Sequence, residues 1–296
     1  MRRHPLIWGV VLMLILAVGL AALVRLSGLV ANPKSSLSFR PKVGVVSVEG
    51  IITDSIEVVE QLEEFGRDDR IRSVVVRIES PGGGVVASQE IHDAILELKK
   101  KKRVVASMGS VAASGGYLVA CASDWIVASP GTITGSLSAI MHYANVEGLL
   151  NKVGLKTFVI KSGRFKDIGS PTREMTEEEK ALLQSVVDDS YGQFQAIILK
   201  NRKIPQDRLA GLMDGRIFTG RQAQQVGLVD ELGGYKQAVR KAGRLAGLKE
   251  EPEIVTPSEK RTGVWDYVRS SLVTAFPAAG LSQARAASGL YYLYLP

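Results

Sequence analysis

The chain alternates short β-branched hydrophobic runs with longer segments whose hydrophobic residues recur at helical spacing. Residues 73–78 (SVVVRI) form a continuous run, typical of a strand covered on both faces. Residues 85–102 place Ile91, Ile95 and Leu98 on one stripe, as in a helix with one buried face. Further strands are predicted at residues 43–48, 103–108 and 125–128, and further helices at residues 54–65, 114–122, 176–200, 206–212, 220–226 and 235–246. This alternation predicts an α/β layered domain.

The N-terminal segment differs from the rest because residues 6–24 contain no charged side chain. A helix of these 19 residues would be about 28 Å long, close to the hydrocarbon thickness of a bilayer. Arg2 and Arg3 precede the run, so the positive-inside rule places the N-terminus in the cytoplasm and the rest of the chain outside it. The apolar region of a cleaved signal peptide, the alternative, is usually only about 7–15 residues long. We therefore predict an uncleaved, single-pass anchor in the cell membrane.

These patterns divide the chain into four parts. Residues 1–30 contain the cytoplasmic end and the transmembrane signal anchor, and residues 31–42 form a polar linker with two prolines. Residues 43–250 hold the alternating strands and helices of the folded domain. Residues 251–296 are rich in Pro, Ser, Ala and Gly and end in the apolar sequence YYLYLP, so we interpret them as a C-terminal tail.

Composition excludes several classes of function. The chain has 37 Lys and Arg against 30 Asp and Glu, and three of the arginines belong to the first 30 residues. The remaining net charge of +4 is mild, so nucleic acid is not an expected partner. One cysteine excludes an intrachain disulfide and a cysteine-based zinc site. Three histidines leave little for a histidine-rich metal centre.

Two clusters of glycine and serine follow predicted strands. In the first, SPGGG at residues 80–84, the glycines allow a sharp turn that exposes N–H groups at a helix N-terminus. Such a turn either binds an anion, including a developing oxyanion, or is simply a tight connection. In the second cluster, residues 107–117, Ser114 opens a helix, and it is either an N-cap or a nucleophile. His92 and His142 are the histidines available as bases, and neither has a clear Asp partner in the usual triad order.

A third stretch, residues 161–171, contains Lys166 between apolar neighbours and glycines. A lysine acts as a base only when desolvation or a neighbouring cation lowers its pKa towards neutrality. The alternative for Lys166 is an ordinary solvated lysine in a loop.

Together these motifs resemble the signal peptide peptidase A family, membrane-anchored Ser–Lys proteases related to the Clp protease and crotonase folds. The matching segments are SPGGG (80–84), MGSVAASGGYLVA (108–120), TGSLS (134–138), SGRFKDIGSPTREMTEEE (162–179) and DGRIFTGRQAQQVGLVDELGG (214–234). The spacing between the Ser and the Lys, 166 − 114 = 52 residues, matches single-domain members. The resemblance implies a Clp protease/crotonase-like α/β fold of repeated ββα layers with an N-terminal transmembrane helix.

The resemblance also implies a role for individual residues. Ser114 would be the nucleophile and Lys166 the general base. The backbone N–H groups of Gly83 and Gly115 would form the oxyanion hole, and Ser136 would orient the lysine. No metal and no cofactor is required by this chemistry.

The implied activity is a serine endopeptidase that degrades apolar peptides, such as signal-peptide remnants, through an acyl-enzyme. The implied assembly is a homo-oligomeric ring of about eight subunits, with the dyad shared between neighbours. We hypothesise that the apolar end of the tail docks on a neighbouring subunit or in the peptide groove. The alternatives are a related membrane Ser–Lys protease with other protein substrates, a crotonase-like acyl-CoA enzyme, and a membrane scaffold without catalysis.

Overall fold

A computed structural model of the protein describes residues 13, 15, 16, 19, 41–257 and 290–294. The chain divides into two units, residues 1–40 and residues 41–296, and the fold is that of the second. The predicted anchor, residues 6–24, lies outside the described residues except for four single positions. No helix within the described positions is long and apolar enough to cross a membrane.

Strands and helices alternate through the second unit. The strands are β1 (Lys42–Glu49), β2 (Ile71–Ser80), β3 (Gly82–Gly84), β4 (Arg103–Ala113), β5 (Trp125–Ala128), β6 (Ile133–Gly135), β7 (Ile217–Thr219), β8 (Glu231–Leu232), β9 (Glu253–Val255) and β10 (Tyr291–Leu293). The helices are α1 (Ile56–Arg67), α2 (Val85–Lys99), α3 (Gly115–Cys121), α4 (Glu147–Lys152), α5 (Glu177–Asn201), α6 (Gln206–Ala210), α7 (Gly220–Gln225) and α8 (Tyr235–Leu245).

The main sheet has the strand order β7-β6-β4-β2-β1-β9, and β5 and β8 extend it beside the first half of β4. Its strands are parallel except for the antiparallel pair β6–β7. Parallel strands need crossover connections, and the helices supply them. The order places β2 and β4 at the centre, so their carboxyl ends meet near the middle of one sheet edge.

Helices cover both faces of the sheet. On β2, Val74 and Val76 belong to a large hydrophobic core that also contains residues of α2, α3 and α5. Val75 points to the other face and belongs to a smaller cluster with Ala238 and Val239 of α8. Because alternate side chains of a strand point to opposite faces, a strand segment between two helical layers needs apolar side chains on both faces, as at residues 74–76. The α/β layering predicted from the alternation of strands and helices is confirmed, and so is the strand covered on both faces at residues 73–78.

Strand β4 is longer than the prediction, which ended it at residue 108. It continues to Ala113 through a bulge, because β2 advances two residues from Ile78 to Ser80 while β4 advances four. The Glu79 carboxylate accepts hydrogen bonds from the N–H groups of Ser110 (2.9 Å) and Val111 (3.0 Å) and so satisfies backbone donors at the bulge. The extended strand delivers the chain directly to Ser114.

The segment beyond residue 250, predicted as a tail, contributes two strands. β9 pairs in parallel with β1 at the sheet edge. β10 pairs antiparallel with β3, the GGG segment of the first glycine cluster. The apolar end therefore docks within its own chain, on β3.

Candidate active site

Ser114 occupies a strained turn between β4 and α3. Its backbone has φ 53° and ψ −115°, a region that non-glycine residues seldom adopt. Its N–H donates to the Gly135 carbonyl (2.8 Å), and its carbonyl accepts from the Leu118 N–H (3.0 Å). The side chain makes no capping hydrogen bond to α3. The alternative interpretation, in which the Ser114 side chain is an ordinary N-cap of the helix, is therefore wrong.

The Ser114 hydroxyl is buried and has no hydrogen-bond partner among the described residues. Buried hydroxyls are nearly always paired, and an exception calls for an explanation. A turn that holds a hydroxyl free of local hydrogen bonds at a helix N-terminus suits a nucleophile, because nothing has to be broken before it reacts.

Glycines bring two backbone N–H groups close to Ser114. A Cβ on Gly115 would lie 2.5 Å from Ser88 Oγ and 3.2 Å from the Gly83 nitrogen. A Cβ on Gly83 would lie 2.1 Å from the Ile52 carbonyl oxygen. A side chain fits at neither position, so the backbone of β3 can approach the first turn of α3 closely. The structure thus places Gly83 and Gly115 together beside Ser114.

Ser136 lies in the neighbouring turn, at the end of β6. It is the other non-glycine residue with a positive φ, 51°, among the described residues. Its N–H donates to the Arg216 carbonyl (2.7 Å), and the preceding Gly135 accepts the hydrogen bond from Ser114. Ser136 therefore belongs to the same cluster as Ser114.

Lys166 is the predicted site residue that this chain does not bring to the cluster. Its side chain is exposed, and within the described part of the chain it makes no hydrogen bond to Ser114. Its loop is nevertheless fixed at the adjacent residue. The Arg173 guanidinium binds Asp167 (3.0 Å) and Glu179, with the shortest Glu179 contact at 2.5 Å.

This ion-pair network ties the lysine loop to the start of α5. Glu179 is the third residue of that helix, and it completes the predicted capping box with Thr176. Hydrogen bonds from Arg173 and from the Thr176 N–H lower the pKa of Glu179 to about 2. Hydrogen bonds from Arg173 and Lys161 hold the pKa of Asp167 well below its usual range. Both carboxylates are therefore charged at neutral pH, and the loop stays anchored.

The histidines occupy other places. His92 is buried on α2, where its ring bonds to Asp93 (2.8 Å) and Asn201 (3.1 Å), and burial lowers its pKa. His142 lies exposed in the loop after β6. Neither ring bonds to Ser114, so the chain forms no Ser–His pair within its described residues.

A group of residues near the nucleophile was missed by sequence reasoning. Tyr292 of β10 lies over β3 and is fully buried, with its ring against Phe194 and its hydroxyl bonded to Ser190. The apolar sequence YYLYLP signalled that the tail binds something. Ser190 and Phe194 appeared only as helical residues of α5, four positions apart and hence on one face.

Comparisons with known proteins identify the family of the chain. Residues 97–249 match the model of peptidase family S49, and residues 42–130 match the Clp protease model. A protein of Synechocystis sp. that is named as a candidate protease is 44% identical to this chain. The match covers 71% of this chain and 76% of the relative. Protease 4 of Salmonella typhi is 32% identical over 70% of this chain and 35% of its own length.

A third relative, the chloroplastic serine protease SPPA of Arabidopsis thaliana, is 29% identical over 83% of this chain and 36% of its own length. The chain thus spans about a third of the Protease 4 and chloroplast relatives. The Clp protease-like α/β fold expected from the resemblance is confirmed. The chain belongs to peptidase family S49 and is an SppA-like serine protease.

Proposed function

We propose that the protein is a membrane-anchored serine endopeptidase that degrades apolar peptides such as cleaved signal peptides through a Ser–Lys dyad. Neutral Lys166 accepts the proton of Ser114, whose Oγ attacks the peptide carbonyl. The N–H groups of Gly83 and Gly115 stabilise the tetrahedral oxyanion. Lys166 then protonates the leaving amine, and water hydrolyses the acyl-enzyme. Ser136 orients the lysine.

The observation that carries this proposal is the state of the Ser114 hydroxyl. This hydroxyl is buried and has no hydrogen-bond partner among the described residues. It belongs to a strained turn beside the backbone N–H groups of Gly83 and Gly115, and Gly83 pairs with the extended strand β10. A scaffold without catalysis has no use for such strain. A crotonase-like acyl-CoA enzyme is disfavoured by the match to the peptidase family.

We propose further that the dyad forms between neighbouring copies in a ring of about eight subunits. The segment before Lys166, residues 146–160, supports an interface. It exposes large apolar side chains to water in the single chain, and a neighbouring copy would cover them. Phe158 is 87% exposed, and the other exposed apolar residues of the segment are Val146, Leu149, Val153, Leu155, Val159 and Ile160. An apolar patch of this kind marks a contact surface.

The proposed location is the cell membrane, with the N-terminus in the cytoplasm and the protease domain outside. The uncharged run at residues 6–24 supports it. An anchor of this kind holds the site near apolar peptides that remain in the bilayer, which agrees with the proposed substrate class.

The experiment compares peptide hydrolysis by the full chain in detergent with that of Ser114→Ala, Lys166→Ala and a refolded equimolar mixture of the two. Each single variant should lose at least about 1000-fold in kcat. In the mixture, about a quarter of the interfaces pair an intact serine with an intact lysine, so about a quarter of the activity should return. The control mixture combines Ser114→Ala with the double variant and should stay inactive.

The outcomes separate the parts of the proposal. Loss without recovery in the mixture would confine the dyad to one chain. Activity that survives in Lys166→Ala would place the base elsewhere. An inactive wild type whose Ser114 also fails to react with a fluorophosphonate probe would support the scaffold.

A further inference from the structure

The last described segment of the chain lies where a peptide substrate would lie. β10 runs antiparallel to β3, with Tyr292 opposite Gly83. The Val85 N–H donates to the Leu290 carbonyl (3.3 Å), and the Tyr294 N–H donates to the Pro81 carbonyl (2.7 Å). Strand addition of this kind is a general mode of peptide recognition.

The opposite edge of β10 is also held by backbone. Tyr291 and Ile140 exchange two hydrogen bonds, of 3.1 and 3.0 Å, through their N–H and carbonyl groups. The segment therefore runs in a groove between β3 and Ile140, and any extended peptide could make the same backbone contacts because they involve no side chain.

The register defines which peptide bond faces the nucleophile. Hydrogen-bonded pairs alternate along an antiparallel ladder, and the bonds at Leu290 and Tyr294 make Tyr292–Gly83 a hydrogen-bonded pair. A Cβ on Gly115 would lie only 3.1 Å from the Tyr292 carbonyl oxygen. This oxygen therefore lies between Gly83 and Gly115, where the proposed oxyanion would form, and Tyr292 takes the position before the scissile bond.

The side chain at this position enters a pocket formed by α5. The ring centroid of Tyr292 lies 4.5 Å from that of Phe194, with a tilt of 42°. The Tyr292 hydroxyl donates to the Ser190 carbonyl (2.7 Å) and accepts from Ser190 Oγ (3.0 Å). Tyr292 is fully buried and Ser190 is 2% exposed, so both hydrogen bonds are shielded from water.

We propose that this pocket binds the aromatic side chain before the cleaved bond and that Ser190 makes it select tyrosine over phenylalanine. The inference rests on the proposed peptidase function and names its substrate preference. A phenylalanine in the pocket would fill the space beside Phe194 but leave the Ser190 hydroxyl without its partner. A site built to bond a hydroxyl discriminates against the analogue that lacks it, because buried polar groups are then left unpaired.

The test uses two peptides and the full chain. One peptide has the sequence of residues 288–296, and the other has phenylalanine in place of the tyrosine that corresponds to Tyr292. We expect cleavage after that residue, identified by product mass, and kcat/KM roughly tenfold higher for the tyrosine peptide. The chain's own tail competes equally with both peptides, so it does not change this ratio.

Three variants assign the preference to one hydroxyl. Ser190→Ala should lower the tyrosine-to-phenylalanine ratio by about threefold or more, but not to 1, because the tyrosine hydroxyl can still donate to the backbone carbonyl of residue 190. Hydrolysis of the phenylalanine peptide should persist, which also reports an intact fold. Ser190→Thr keeps a hydroxyl and should retain the preference. Ser185→Ala is the matched control, because that hydroxyl lies exposed on the same helix and bonds the Leu182 carbonyl.

Two results would overturn the inference: a wild-type ratio near 1, which needs no variant, or an unchanged ratio in a folded Ser190→Ala. Failure of the peptidase proposal would look different, since the wild type would then hydrolyse neither peptide and Ser114 would not react with a fluorophosphonate probe.

Discussion

Replacing Tyr292 by alanine is expected to free the substrate groove and to raise the rate of peptide hydrolysis. The side chain is fully buried, packs on Phe194 and makes two hydrogen bonds to Ser190. The rest of β10 is held mainly by backbone hydrogen bonds that a substrate peptide can replace. Tyr292 therefore supplies most of the energy that is specific to the docked tail.

The magnitude follows from the burial. Truncation of a buried aromatic side chain to alanine costs about 3–5 kcal/mol. If about 3 kcal/mol of this acts on tail docking alone, the ratio of docked to undocked tail falls by about 150-fold. Hydrolysis at peptide concentrations below KM should rise by up to that factor, because KM falls while kcat stays the same.

The assay measures kcat and KM for the wild type, Tyr292→Ala and Tyr294→Ala. Tyr294→Ala is the matched control, because it removes the same side chain from a half-buried position and keeps the N–H that donates to Pro81. Its KM should change much less. An unchanged KM in Tyr292→Ala, together with a melting temperature lowered by several degrees, would refute the reasoning and make β10 a packing element of the core.

Three further predictions concern two other parts of the site and one buried ion pair of the fold. Gly83→Ala should lower kcat at least about tenfold, measured with a short peptide, because its Cβ would lie 2.1 Å from the Ile52 carbonyl oxygen and must displace the β3 N–H group. Arg173→Met should lower kcat, leave KM nearly unchanged and slow fluorophosphonate labelling of the serine, because it releases the loop of the general base Lys166 without changing the peptide groove. Asp230→Ala should lower the free energy of unfolding in urea by about 3 kcal/mol, because the buried Arg202 guanidinium, which binds Asp230 at 2.8 Å, would lose its carboxylate partner.

Local sequence signals predicted the framework well. The β-branched run at residues 73–78 became β2, whose buried valines contact both helical layers. The capping box at Thr176 predicted a helix over residues 176–200, and α5 spans Glu177–Asn201 with both capping bonds present. These signals succeed because burial on both faces and helix capping depend on residues that are close in sequence.

The site itself depended on contacts that local sequence does not contain. The extension of β4 to residue 113 crosses small residues with weak strand preference, and it is stabilised by Glu79, which lies about thirty residues earlier. Whether the Ser114 hydroxyl caps a helix or is free of local hydrogen bonds depends on the backbone angles of Ser114. Those angles are held by the end of β4 and by the hydrogen bond from the Ser114 N–H to the Gly135 carbonyl. Tyr292 and Ser190 are 102 positions apart in the sequence, so the local sequence around either residue does not predict the pocket that they form.

The separation of Ser114 from Lys166 and the docking of the tail fit one explanation in the proposed assembly. In a single chain the nucleophile is buried with no hydrogen-bond partner among the described residues, the lysine is exposed, and β10 crosses the groove. A neighbouring copy that covers the apolar segment around Phe158 would deliver its own lysine loop, already fixed by Arg173, to the waiting hydroxyl. Association would then cover the apolar segment and complete the dyad in the same step, so that peptide hydrolysis requires the oligomer. A protease arranged in this way does not cut before it assembles, and dilution below the assembly constant should abolish hydrolysis while the chains stay folded.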